Sequence, residues 1–263
     1  LIILSIISFA LNGLNWGIDF SNGYIAQLQY QKDVNISELK ANLKNNGIKD
    51  SVVQYYGTNK EVIIKLKDSP KIDQVSINDF LINSLTTDNQ FKILRLEYVG
   101  AQVGSELREK GEWAMLVALL SILIYIGFRF EFLYGIGAIF ALLHDVILTL
   151  GFFSITQLQF DLSVLSAILA VIGYSLNDTI VIYDRIRENF RSMRTAETLN
   201  ILNSAITQTI KRTIITSSTT LLVLLSLFVF GGSSLEGFSI ALIVGVLIGT
   251  YSSIFVASTS IFY

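Results

Sequence analysis

The sequence predicts a polytopic α-helical membrane protein, with six transmembrane helices and one external βαββαβ domain between helices 1 and 2. Two observations predict this class. Of the 263 residues, 52% are apolar and only 15% are charged, whereas about a quarter of the residues of an ordinary soluble domain are charged. The charges are also concentrated, because 13 of the 21 acidic and 12 of the 19 basic residues lie between positions 19 and 112. Much of the remaining chain is uncharged over lengths that suit a bilayer.

The composition excludes several other classes. A net charge of -2 and a pI near 5.5 argue against a nucleic-acid-binding protein, which normally carries a basic field. The sequence contains no cysteine, so a disulfide framework or a thiol nucleophile is impossible. One histidine without any cysteine provides no ligand cluster for a metal ion, and no cofactor is indicated.

Five apolar runs predict five membrane-spanning helices. Each is near the twenty or so residues that a spanning helix needs, although the first reaches that length only with its polar flanks. The runs are 113–128, 132–155, 162–183, 213–230 and 237–263. Residues 1–11 are apolar but too short to span, and we expect them to be the end of a truncated sixth helix. A cleaved signal peptide is the alternative, but its basic leader and small-residue cleavage site are not visible.

The basic residues predict the orientation of the helices, because loops rich in Lys and Arg face the cytoplasm. The connection 184–212 carries six such residues, and the short turn at Arg129 carries one more. The connections 157–161 and 231–236 carry none, so we expect them to face outward. Since loops alternate sides, the charged block between helices 1 and 2 is also expected to be external.

The charged block follows the order βαββαβ. Alternating or β-branched patterns predict strands at 24–30, 51–56, 61–67 and 91–99. Gly57, Thr58 and Asn59 predict the turn between the second and third strands. A short helix capped by Ser37 is expected to run up to Gly47, and a looser helical pattern covers 72–85.

This order is the split ferredoxin-like arrangement, and it sets the predicted domain limits. Residues 1–19 form transmembrane helix 1, residues 20–108 form the external ferredoxin-like domain, and residues 109–263 form helices 2–6.

Asp178 is the strongest candidate for a functional residue. It lies well inside the fourth predicted span, where a carboxylate costs about 2.5 to 3.5 kcal/mol on insertion scales and is by default functional. The candidate counter-ion is Arg212, whose long side chain can reach inward from the start of the fifth span. A buried acid beside a movable cation can work as a proton switch, because moving the cation loads or unloads the proton. The structural alternative is that Asp178 pairs with polar groups and only holds the helices together.

Five further polar residues are candidates for a supporting role: Asn177, Thr179, Thr216, His144 and Asp145. His144 and Asp145 are weaker candidates, since adjacent residues of a helix point to different faces. We therefore expect that these two cannot form one site. His144 fits an interhelical hydrogen bond as well as a relay role.

Several long motifs carry a resemblance to a known family. VIGYSLNDTIVIYDRIRENFR, at 171–191, looks like the fourth-helix signature of SecF-type members of the SecD/SecF family of bacterial preprotein translocases. Four other stretches are similar to the same family and occur in the same order along the chain. They are GLNWGIDFSNG at 13–23, VGAQVGSEL at 99–107, FRFEF through ALLHDV at 128–146, and QTIKRTIITSSTTLLVLL at 208–225.

The resemblance implies both a function and a site. Such proteins have six helices and one periplasmic ferredoxin-like domain, belong to the resistance-nodulation-division superfamily, and lie in the bacterial inner membrane. They act with SecD and the SecYEG channel on unfolded preproteins, using the proton motive force, with YajC and SecA as indirect partners. By motif, Asp178 and Arg212 correspond to the family's proton-transport residues. The implied role is therefore transport within a membrane, without enzymatic chemistry and without nucleic acid.

Two other classes remain open at this point. A proton-driven small-molecule exporter of the same superfamily would use a similar acid, but would need large external porter domains. An intramembrane aspartyl protease needs two aspartates on facing helices. Asp178 and Asp184 lie on one predicted helix, so the sequence does not favour the protease.

Overall fold

The computed structural model describes residues 1–48, 51–67, 77–85, 90–129, 132–193 and 196–260. These residues form two compact units. The first, here called the sheet unit, comprises Trp16–Lys110 and Phe230–Glu236. The second, here called the membrane unit, comprises Leu1–Asn15, Gly111–Val229 and Gly237–Tyr263.

The strands and helices follow one another in a simple order. From the start of the chain to the last strand of the large sheet they are α1 (Ile2–Asn12), β1 (Asn15–Trp16), a 3₁₀ turn (Ile18–Phe20), β2 (Gly23–Tyr30), α2 (Ile36–Asn45), β3 (Ser51–Tyr56), β4 (Thr58–Lys67), α3 (Ile77–Leu85) and β5 (Phe91–Val99). The remaining elements are α4 (Ala101–Arg129), α5 (Phe132–Thr156), β6 (Gln159–Phe160), α6 (Leu162–Ser192), α7 (Thr198–Phe230), a 3₁₀ turn (Ser233–Leu235), α8 (Glu236–Tyr251) and π-helical turns (Ser252–Ala257).

The sheet unit is built on four antiparallel strands in the spatial order β3-β4-β2-β5. One face is buried because the apolar residues recur with the two-residue period of a strand. From β2 and β4 it presents Ala26, Leu28, Tyr30, Val62, Ile64 and Leu66. Leu39 and Leu43 of α2, together with Phe80, Leu81 and Leu85 of α3, complete this core.

The predicted elements of this unit need local corrections. The N-cap of α2 is Asn35, whose side chain accepts from the Ser37 amide, so Ser37 lies inside the helix. The turn after β3 is shorter than expected, since Tyr56 already pairs with Thr58 around Gly57 at φ +76°. Glycine adopts such a positive φ without the steric cost that a Cβ would add. The predicted start of the second helix, 72–76, lies outside the described residues.

In the described part of the chain, five helices are long and apolar enough to cross a bilayer. They cover Ala101–Arg129, Tyr134–Thr156, Leu162–Ser192, Thr198–Phe230 and Glu236–Ala257. The apolar runs located all five, and two of the helices begin well before their runs. The helix that contains the run at 113–128 includes its polar flank and begins at Ala101, whereas the helix predicted from 213 begins at Thr198. Both begin earlier because a polar segment can continue a helix beyond the apolar stretch that marks it. The shorter apolar helix Ile2–Asn12 precedes them.

Small residues bring the helices of the membrane unit close together. Ser8 of α1 shares a 2.9 Å hydrogen bond with Ser154 of α5. Gly249 of α8 lies against Ser175 of α6, where an added Cβ would stand 3.0 Å from the serine Cβ. Close approach at small residues is the usual way in which helices associate in a bilayer, and here it brings polar residues of α6 against their neighbours.

Candidate functional site

Asp178 lies on the buried face of α6 and is only 3% exposed. Its Oδ2 is fully buried and has no hydrogen-bond partner among the described residues. Buried polar atoms nearly always have such a partner, and a carboxylate within a span is costly. Asp178 is therefore the central residue of the candidate site.

A chain of hydroxyl groups links three helices one turn before Asp178. Tyr174 of α6 donates from its Oη to Ser217 Oγ of α7, at 3.2 Å. Ser217 Oγ in turn lies 2.7 Å from Thr250 Oγ1 of α8. These hydrogen bonds connect α6, α7 and α8 one helical turn from Asp178.

Thr213 of α7 is the second unsatisfied group. It is fully buried, and its Oγ1 has no partner among the described residues. Asp178 lies four residues after Tyr174, and Thr213 lies four residues before Ser217. Two further side chains, Asn189 Nδ2 and Gln208 Oε1 at 3.5 Å, join α6 and α7 in the antiparallel sense. Asp178 and Thr213 are therefore each one helical turn from the Tyr174–Ser217 hydrogen bond, in the same direction along the paired helices, and lie at the same height in the membrane unit.

A polar cavity of about 230 Å³, here called the vestibule, lies on the other side of this level. Val181, three residues after Asp178, and Thr209, four residues before Thr213, are on its wall. The other polar residues on the wall are Asp184, Arg185, Glu188, Gln208 and Arg212. The vestibule therefore comes within about one helical turn of the buried carboxylate.

Arg212 lines the vestibule and is exposed. Its charge acts on the Asp178 carboxyl through space, but no salt bridge between them occurs within the described residues. By contrast, Asp184 pairs with Arg129 at 3.0 Å, and Glu188 pairs with Arg185 at 2.9 Å. Arg212, the predicted counter-ion, therefore lines the cavity that approaches Asp178 and is not bonded to the carboxylate.

His144 and Asp145 were expected not to form one site, and that expectation is wrong. His144 Nδ1 lies 3.0 Å from Asp145 Oδ1. Ser175 of α6 donates from its Oγ to Asp145 Oδ2, at 2.5 Å. Asp145 itself is completely buried. The spacing argument failed because adjacent side chains can still bend toward each other when a third group, here Ser175, fixes one of them.

The other supporting candidates lie in different surroundings. Asn177 is exposed, whereas Thr179 is buried. Thr216 donates from its hydroxyl to the carbonyls of Arg212 and Thr213 on its own helix. Across the parts of the chain that the structure describes, no three side chains are grouped in a way that could hold a metal ion.

Sequence reasoning missed four residues of this region: Thr213, Tyr174, Ser217 and Ser175. One signal was available for two of them. Thr209, Thr213 and Ser217 recur every four residues, which places three hydroxyl groups on one face of α7. No comparable spacing marks Tyr174 or Ser175, since their partners lie on other helices.

Residues 81–263 match the family described as protein export membrane protein SecD/SecF, C-terminal. Residues 7–34 match the SecD/SecF GG motif. The chain belongs to the SecD/SecF family. Within it, the chain is of the SecF type, as relatives that match nearly its whole length indicate.

Two of these relatives are named protein translocase subunit SecF. The one from Vibrio alginolyticus is 44% identical over 260 residues, which cover 98% of this chain and 82% of that protein. The one from Magnetococcus marinus is 46% identical over 263 residues, covering 98% and 85%.

Two solved structures of SecDF are also similar. The crystal structure of SecDF, a translocon-associated membrane protein from Thermus thermophilus, has a TM-score of 0.81 and 36% identity. SecDF in a super-membrane-facing form has a TM-score of 0.76 and 35% identity. Each match covers 99% of this chain, which spans 36% of the length of the SecDF chain. Family membership therefore supports protein translocation over the protease and small-molecule exporter hypotheses.

Proposed function

We propose that this chain is the SecF subunit of a Sec translocase, and that it uses the proton motive force at Asp178 to drive late steps of protein export. The single observation that carries the proton site is the buried Oδ2 of Asp178, which has no partner among the described residues. By helical spacing, Asp178 lies between the Tyr174–Ser217 hydrogen bond and the vestibule that Arg212 lines.

The proposal includes the architecture expected of such a subunit. The four-stranded order β3-β4-β2-β5 with two helices on one face supports a ferredoxin-like domain at 20–108. Helix 1 at 1–19 and helices 2–6 at 109–263 make up the six spans. Under the positive-inside rule the vestibule faces the cytoplasm and the ferredoxin-like domain faces the periplasm.

The proposed partners are SecD and the SecYEG channel, with an unfolded preprotein as the substrate. The solved SecDF structures, which this chain matches over 36% of their length, support SecD as the direct partner. YajC and SecA would act indirectly, and lipid would cover the apolar helices.

The proposed mechanism couples the charge of Asp178 to helix movement. Protonation neutralises the carboxylate and removes its attraction to the Arg212 guanidinium. The guanidinium is then free to withdraw into the vestibule, and α6 and α7 can shift relative to each other. One proton crossing the membrane releases about 2.3 kcal/mol per 100 mV, which is comparable to the few kcal/mol that separate two conformations of a protein.

The test is the Asp178→Asn variant, assembled with SecD and SecYEG in sealed vesicles. The amide has the shape of the acid but cannot release a proton. We expect loss of both proton flux and proton-dependent export, while assembly with SecD is unchanged. Wild-type flux and export in this variant would reject the proposal.

The matched control is Asp161→Asn, at the N-terminal end of the same helix. Asp161 accepts from the amides of Ser163 and Val164 as the N-cap of α6, and asparagine is an equally good cap. The control therefore makes the same chemical change on α6, away from the proton site. It should keep wild-type flux and export.

A further inference from the structure

The proposed proton site does not use the most deeply buried charged group among the described residues of the membrane unit. Asp145 of α5 is completely buried, and both of its carboxylate oxygens are hydrogen-bonded. Oδ2 accepts from the Ser175 hydroxyl, a group that serves as a donor to a carboxylate. Oδ1 lies 3.0 Å from Nδ1 of His144. We take Nδ1 of His144 as the donor, which leaves the Asp145 carboxylate ionised and accepting at both oxygens.

Among the described residues, one basic group, His144, lies beside Asp145. The elements that pack most extensively against α5 are α1, α6 and the turns Ser252–Ala257. The helix α1 carries no titratable side chain. The groups from α6 are Ser175 and, one turn further, the acid Asp178. Ser252 approaches Asp145, and Tyr251, at the end of α8, stacks on the His144 ring with 6.4 Å between ring centroids. His144 is therefore the group that can balance the charge of Asp145.

We propose that His144, Asp145 and Ser175 form a second proton-holding site, in which an imidazolium–carboxylate pair on α5 positions the Asp178 turn of α6. The proton is held on Nδ1 of His144 and shared with Asp145 Oδ1. The hydrogen bond from the Ser175 hydroxyl links Asp145 to α6, so a movement of Asp145 moves this part of α6. Asp145 and Ser175 are positioning residues, and they touch no transported proton at Asp178.

The arrangement on α6 makes this coupling direct. Ser175 and Asp178 are three residues apart, so they lie on the same face of the helix. Ser175 is also held from the other side, because Gly249 of α8 packs on its Cβ and Oγ. A change at Asp145 is therefore passed to the turn that carries Asp178, and not absorbed by a loose side chain.

The chain offers a clean spectroscopic test, since His144 is its single histidine. The full chain is labelled with ¹⁵N-histidine and reconstituted with unlabelled SecD in lipid vesicles, so that every ¹⁵N-histidine signal comes from the proposed site. At neutral pH we expect solid-state NMR to show Nδ1 protonated and Nε2 protonated as well. An unprotonated Nδ1 would overturn the proposal.

Two variants separate the hydrogen bond from the charge. Asp145→Leu removes the acceptor, and we expect the ring to become neutral with its proton on Nε2. Asp145→Asn keeps an acceptor oxygen without the charge, so the ring should also become neutral but keep its proton on Nδ1. A fully protonated ring in Asp145→Leu would overturn the proposal, because the carboxylate would then not be what holds the proton.

The effect on transport rests on the proposed function, and it is tested with a matched pair of serines. Ser175→Ala breaks the link between Asp145 and α6. Ser154 lies on another part of α5, and Ser154→Ala removes its buried hydrogen bond to Ser8 of α1. We expect Ser175→Ala to change proton flux by about threefold and to displace its pH profile, while Ser154→Ala leaves the profile in place. Equal profiles in the two variants would overturn the positioning role.

The failure of each idea gives a different result. If Asp178→Asn retains full proton flux, the proposed function fails, but the NMR signals of His144 still decide the second site. If the signals contradict the imidazolium–carboxylate pair while Asp178→Asn abolishes flux, only the second site is lost.

Discussion

Tyr174 donates a 3.2 Å hydrogen bond to Ser217 and so ties α6 to α7 one turn from Asp178 and Thr213, each of which has a buried polar atom with no partner among the described residues. The same serine hydroxyl lies 2.7 Å from Thr250 of α8. Three helices are thus joined at one level by side-chain hydroxyl groups. On one side of that level are Asp178 and Thr213, and beyond them is the vestibule.

The first prediction concerns this link. Tyr174→Phe keeps the ring but removes the donor, and we expect it to destabilise the membrane unit by about 0.6 kcal/mol, the average for an interhelical hydrogen bond in a bilayer. Thermal unfolding of the full chain in detergent measures the change. Tyr125→Phe, on an exposed part of α4, is the control and should leave the unfolding midpoint unchanged. Equal midpoints for the two variants would show that the hydrogen bond does not hold α6 to α7.

The second prediction concerns the unsatisfied hydroxyl of Thr213. Thr213→Val has nearly the same shape and removes a buried polar atom that has no partner among the described residues. Because such an atom costs about 1–3 kcal/mol, we expect the variant to be more stable. Thr209→Val, on the same face of α7, removes a hydroxyl that donates to the Ala205 carbonyl at 2.9 Å, and it should give no such gain. Denaturant unfolding compares the two, and a loss of stability in Thr213→Val would contradict the prediction.

The third prediction concerns the close approach of α8 to α6. A Cβ added at Gly245 would stand 2.7 Å from Cγ1 of Val171, whereas one added at Gly173 would meet nothing within 4 Å. We therefore expect Gly245→Ala to destabilise the protein by about 1–3 kcal/mol through overpacking. Gly173→Ala is the matched control on α6 and should be neutral or stabilising. Thermal unfolding midpoints decide the matter, and a Gly245→Ala protein as stable as the control would show that the helices can separate freely.

The fourth prediction concerns Tyr30 in the core of the sheet unit. Its hydroxyl is buried and has no partner among the described residues, and burial raises the pKa of Tyr30 above its ordinary value. The folded state therefore favours the neutral phenol. The stability that depends on it is complete below about pH 10, the pKa in an unfolded chain, and is lost as the pH rises through the raised folded value.

Tyr30→Phe removes both effects. We expect a gain of about 1 kcal/mol at neutral pH and a weaker loss of stability above about pH 10. Tyr55→Phe is the counterpart, since Tyr55 donates to the Val34 carbonyl at 2.6 Å, and it should destabilise the unit at neutral pH. Hydrogen exchange of the β2 amides in the full chain measures the stability of the sheet unit in both variants. A Tyr30→Phe protein that is less stable at neutral pH would contradict this reading of the core.

Much of the helix and strand pattern could be predicted from local sequence, with errors where tertiary contacts take over. The strand at Phe91–Val99 has the predicted limits. The helix α4 begins at Ala101, twelve residues before the apolar run at 113–128, because hydropathy marks only the part of a helix that the bilayer would cover. The cap of α2 was assigned to Ser37 when Asn35 performs it, since two neighbouring polar residues satisfy the same local rule.

The sequence by itself determined which residues would be costly inside a membrane, because a charge in an apolar run is visible without coordinates. Asp178, Asp145 and His144 were identified in this way. Only the tertiary structure decided their partners: His144 and Ser175 for Asp145, and the through-space charge of Arg212 for Asp178. It also showed that the Thr213 hydroxyl has no partner among the described residues. The physical reason is that a hydrogen bond depends on two side chains meeting within about 3 Å. When they belong to different helices, that distance is set by the packing of small residues such as Gly249 against Ser175.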